Sequence, residues 1–154
     1  MPITDAMRAR HVVRQYLSTP LPDDVIAALR SRIEDNNRAH GTDIRLVTGD
    51  ARVFGPLWGT VRARSVRNCL IMSGPDAPDL DERLGYGGAD LMLAAQDLGL
   101  NTWWIGGTFS KKAAARASGA TGRVVAVVLP ALLVLCTGAL YLNRSGGYVT
   151  SAAD

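Results

Sequence analysis

Apolar residues recur along this chain in two rhythms, one near 3.6 residues and one near 2, and the rhythm changes several times. Thr4-Asp5, followed by Ala6, Met7, Val12, Val13 and Tyr16, predicts a short helix running into an extended piece. Pro20 and Pro22 end it. Asp23-Asp24 open a second helix with Val25, Ile26, Leu29 and Ile33 on one face, and Asn36 to Gly41 reads as a polar turn. Ile44 to Val47 alternates as a strand does and stops at Gly49-Asp50. Phe54 to Arg64, with Gly55, Pro56, Trp58 and Gly59, reads as a loop.

The second half repeats the alternation. Asn68 to Met72 is a compact apolar run suited to a buried strand, closed by Ser73-Gly74-Pro75. From Gly85 the period is helical: Leu91, Leu93, Ala94, Ala95 and Leu98 fill one face, and Gly99 is a natural cap. Thr102 to Ile105 predicts a strand ending at Gly106-Gly107. Ser110 caps a short helix to about Ala117, and Val124 to Leu129 is β-branched enough for another strand. Helices alternating with short buried strands predict an α/β or α+β sandwich.

Composition narrows the function classes. The formal net charge is +3, but the basic residues are nearly all arginines scattered from Arg8 to Arg144, so no nucleic-acid partner is expected. Cys69 and Cys136 form no short metal knuckle, and with only His11 and His40 besides, no zinc site is expected. Two cysteines make no disulfide framework, which fits a reducing, cytoplasmic compartment. Arg8, Arg10 and Arg14 break any apolar stretch that would make a secretory signal of the first residues.

Two segments carry candidate chemistry. In Arg8-Ala9-Arg10-His11-Val12-Val13-Arg14-Gln15-Tyr16 the arginines offer rigid forks of donors suited to phosphate oxygens; the plainer alternative is a solvated helix face. In the second, Gly85-Tyr86-Gly87-Gly88-Ala89-Asp90 precedes Gly99-Leu100-Asn101-Thr102-Trp103-Trp104-Ile105-Gly106-Gly107. A dinucleotide fingerprint is poorly matched, because its last glycine falls on Asp90 and no strand precedes it. Gly106-Gly107 at a strand end would let backbone N–H groups approach a flat ligand closely; the alternative is an ordinary tight turn.

Together the two segments resemble the FMN-dependent nitroreductase family. Arg10 to Tyr16 is similar to its N-terminal signature. Gly85-Tyr86 through Lys111 is similar to the later block of its shorter branch, and Val66 to Leu70 fits the strand between them. The resemblance covers about Asp5 to Val128. It implies an α+β, nitroreductase-like three-layer sandwich, a central sheet flanked by helices, with residues 1–128 as an FMN-binding domain and 129–154 as a divergent apolar tail. It further implies a homodimer with FMN at the subunit interface, and NAD(P)H as co-substrate for a small-molecule acceptor such as a nitroaromatic or quinone, reduced in ping-pong order. Arg10 and His11 would hold the FMN phosphate and ribityl chain, Arg14 would lie near N1 and O2, and backbone N–H groups of Gly106 and Gly107 would face N5 and O4. No side-chain acid or base is implied.

The sequence departs from the family's pattern in places. Val12 stands where serine is usual, Ala89 where glutamate is, and Trp103 where cysteine is. After Val128 the basic segment that closes over the phosphate is missing, so the fold is expected to be incomplete at its C-terminus. Val124 to Leu142 carries no charge and as a helix would reach about 28 Å, near the bilayer's hydrocarbon thickness. Beside the flavoenzyme stand two alternatives: a catalytically degenerate domain with a structural or interaction role, and a tail-anchored membrane protein.

Overall fold

The structure is a computed structural model, and it describes residues 3–10, 12, 19–49, 67–107 and 109–132. The elements are α1 (Ile3–Ala9), α2 (Asp23–His40), β1 (Arg45–Val47), β2 (Cys69–Gly74), α3 (Leu80–Asp97), β3 (Leu100–Ile105), α4 (Lys111–Ser118) and β4 (Arg123–Leu132). The strands form one antiparallel sheet in the order β1-β2-β4-β3. β4, last in sequence, is therefore an inner strand, pairing Val128 with Leu70 on one side and with Trp104 on the other.

Strand alternation sends successive side chains to opposite faces. Leu70, Met72, Ala126 and Val128 join Ile33, Ile44, Leu80, Leu84 and Leu91 in the main core, under α2 and α3. Leu21, Leu29, Ala95 and Leu100 make a second cluster beside it. Cys69 and Ile71, equally buried, belong to the other face. There Arg45, the partner of Ile71 across β1 and β2, donates to the Ser118 carbonyl at the end of α4, whose Ala114 is fully buried. The result is an α+β sandwich of three layers: α2 and α3, the sheet, and α4.

Three boundaries differ from the sequence expectation, each for a tertiary reason. Asn36 to Gly41 is no turn; α2 continues to His40 and ends at Gly41 in the left-handed region, φ 60°. The asparagines that signal a turn are held instead by distant groups. Asn36 donates to Asp90, while the Asn37 amide accepts from the Ile44 N–H (2.7 Å) and donates to the Ile44 carbonyl (2.9 Å). α3 starts at Leu80 rather than Gly85, because Leu80, Leu84 and Leu91 continue one buried stripe; Gly85 to Gly88 thus lie within the helix. β2 runs on through Gly74.

The other elements lie close to where the periodicity puts them. β3 starts two residues before Thr102, α4 opens with the Ser110 hydroxyl accepting from the Ala113 N–H (3.2 Å), and β4 starts at Arg123. The loop expected over Phe54 to Arg64 falls outside the described residues. A helix over Val124 to Leu142 is overturned: up to Leu132 these residues are β4, whose hydrogen bonds go to strands on both sides. No described helix is long and apolar enough to cross a membrane.

Candidate active site

The first candidate segment is built by α1. Its Ala6 is buried against the last turns of α3, where Ala6, Ala28, Arg32, Asp90, Leu93 and Asp97 line a cavity of about 360 Å³. α1 ends one turn later, with the Arg10 N–H on the Ala6 carbonyl (2.9 Å), so Arg10 leaves the helix half-buried at its C-terminal end. His11 and Arg14 lie outside the described residues.

The second candidate segment is built by β3. Ile105 pairs with Val127 and is buried, and the chain then leaves the sheet at Gly106 and Gly107, both exposed. Neither glycine has a positive φ, and a Cβ built on either meets nothing within 4 Å. Among the described residues nothing therefore demands glycine at these two positions. The open space over them suits the close approach of something from outside, such as the edge of a planar ligand.

One chain does not bring the two segments together through any contact among the described residues. Ala6 sits with Asp97 and Leu98 near the start of β3, whereas Gly106 follows the strand's far end. β3 alone spans roughly 17 Å at 3.4 Å per residue.

A polar cluster that the sequence reading did not single out joins α2 to α3. Arg32 grips Asp90 with two bonds, Nε to Oδ2 (2.7 Å) and a terminal nitrogen to Oδ1 (2.5 Å), and Asn36 donates to the same carboxylate (2.7 Å). Burial would raise the Asp90 pKa, but the hydrogen bonds from Arg32 and Asn36, with the charge of Arg32 and a lesser one from His40, hold it below the ordinary carboxylate value. The same bonds raise the pKa of Arg32. The one sign of this cluster in the sequence is Asp90, a carboxylate between the stretch Gly85 to Gly88 and the apolar run Leu91 to Ala95.

A larger cavity, about 560 Å³, opens at one end of the sheet beside Asp43, Arg45, Asp76 and Arg123. Both arginines there are engaged: Arg45 bonds Asp43 (2.8 Å), and Arg123 is ion-paired with Asp76 and Asp81. The sequence candidates lie elsewhere. Among the described residues no group of His, Cys, Asp and Glu could hold a metal ion.

Over residues 2–130 the sequence matches the family described as "Putative TM nitroreductase". The chain belongs to this nitroreductase family. Membership assigns it oxidoreductase chemistry, and the match covers both candidate segments. Solved structures agree in fold. A "putative nitroreductase in complex with FMN" from Desulfovibrio desulfuricans shares 15% identity at a TM-score of 0.65, with 87% of each chain covered. A "Putative NADH dehydrogenase/NAD(P)H nitroreductase" from Bacteroides thetaiotaomicron gives 16% and 0.67, covering 88% of this chain and 89% of the other. The FMN-dependent nitroreductase NfnB from Mycobacterium smegmatis, solved in complex with NADPH, gives 10% and 0.67, covering 85% and 87%. At such identities these neighbours establish the nitroreductase fold and no more. No curated protein matches the sequence.

Proposed function

We propose that this chain binds FMN and uses NAD(P)H to reduce nitroaromatics, quinones or similar electron-poor acceptors, the two substrates taking turns at one site. Family membership supports the redox class. The observation that carries the cofactor is the exposed Gly106-Gly107 exit from β3, where no neighbour among the described residues accounts for the missing side chains.

FMN, when bound, supplies hydride uptake and release; the chain's own groups hold and orient it. Arg10, at the end of α1, gives charge-assisted bonds to phosphate oxygens. His11 is assigned to the ribityl chain, and Arg14 to the pyrimidine edge, where positive charge stabilises an anionic reduced ring. Gly106 and Gly107 leave room for the opposite edge to reach the backbone. Because α1 packs on the end of α3 that leads into β3, and the glycines lie beyond the far end of that strand, we assign the two halves of each site to different chains of a homodimer.

Absorbance of the purified protein in the flavin region, followed by FMN titration, tests the proposal. The parent is expected to be yellow or to become so on adding FMN. Arg10→Ala is expected to lose about 1.5–3 kcal/mol of binding, one to two decades in Kd. An unchanged titration curve removes Arg10 from the site. A parent that takes up no FMN leaves a nitroreductase fold without its chemistry.

A further inference from the structure

Gly88 lies inside α3, where glycine weakens a helix, yet the helix keeps it at a contact that any added side chain would disturb. A Cβ built on Gly88 would stand 2.2 Å from Cζ3 and 2.5 Å from Cη2 of Trp104, and 3.0 Å from Cε of Met72. The indole lies in a notch cut into the helix. It cannot easily slide sideways, because Met72 behind it is fully buried and Trp104 packs against the same core. The backbone of Trp104 is fixed too, through its pairing with Val128 on β4. Two residues further on, β3 becomes the Gly106-Gly107 exit.

Gly85, three residues earlier in the same helix, has nothing within 4 Å of a built Cβ. A side chain at 88 therefore displaces the Trp104 ring, whereas one at 85 meets no described atom. We propose that Gly88 is a positioning residue: the notch it leaves seats Trp104, and the seated indole sets where the Gly106-Gly107 turn leaves the sheet. The inference rests on the FMN reading above, since it gives that turn the edge of the flavin to meet. A side chain at 88 pushes the indole outward, twists the end of β3 and moves the turn without touching the cofactor.

The test uses the full chain. Amide resonances of Gly106 and Gly107 are followed by ¹⁵N-edited NMR without FMN, and FMN is then titrated. Gly88→Ala is expected to shift both amides and to weaken FMN binding about tenfold. Adding Trp104→Leu, which relieves the clash while keeping the notch filled, restores both readings. Gly85→Ala leaves both as in the parent. If Gly88→Ala does not fold, Trp104→Ala empties the notch from the other side and is expected to shift the same two amides. Unmoved amides in a folded Gly88→Ala, or in Trp104→Ala, overturn the proposal. So do moved amides with unchanged FMN affinity. If the parent binds no FMN, the functional reading fails, while the amide shifts still decide whether Gly88 sets the turn.

Discussion

Asp90 shows what a single carboxylate contributes when its neighbours are arranged for it. Its folded pKa lies below the ordinary value of 3.8, so its stabilisation is full above that value and is lost as the pH falls through the folded one. Arg32 is about half exposed, which screens the pair. Asp90→Asn is therefore expected to cost about 1–2 kcal/mol at neutral pH. At a pH low enough to protonate the parent carboxyl in the folded state, the gap should close. Urea unfolding at the two pH values checks this, and an equal deficit at both would assign the loss to packing instead. At Gly85 the change runs the other way. With open space around it and a helical backbone, Gly85→Ala is expected to stabilise the protein by about 0.5–1 kcal/mol in the same assay.

Among the elements, α4 depends most on its cap, since it has only 8 residues and begins with two exposed lysines. Ser110→Ala removes the acceptor of the Ala113 N–H and is expected to cost about 1 kcal/mol. Hydrogen exchange should localise the loss to Lys111–Ser118. That cap was legible in the sequence because capping is local, and so were the second helix, the strand runs and the Gly106-Gly107 exit. The misread boundaries involve residues whose role is set from a distance. Asn36 and Asn37 look like turn formers until Asp90 and Ile44 take their amides. Gly87 and Gly88 read as the first turn of a helix that begins at Gly85, and only their packed neighbours show why glycines sit deep in a longer one: Asn36 and Ile44 for one, Trp104 for the other. The Arg32–Asn36–Asp90 cluster was illegible for the same reason, Asp90 lying 54 and 58 residues beyond Asn36 and Arg32 on another helix. Of the proposed site, Arg10, Gly106 and Gly107 rest on motif alone, and the described residues of one chain show no contact between the two segments.

For the whole molecule, the proposed division of the site between two chains would make assembly a condition of binding. Sedimentation at micromolar concentration is expected to show twice the 16.4 kDa chain mass, with added FMN holding the pair together on dilution. A monodisperse single chain that still binds FMN would refute the shared site. The inner position of β4 also has a consequence in time, during synthesis. β2 and β3 do not pair with each other; each waits for a strand that emerges only after residue 122. Until then a nascent chain carries Cys69 to Met72, Trp103 and Trp104 with their shared partner strand missing, the condition in which strands pair with other chains. Sheet closure must therefore come late and over long sequence separations, so refolding should be slow for a domain of this size. A polypeptide halted at Gly122 is expected to aggregate rather than settle into a smaller native domain.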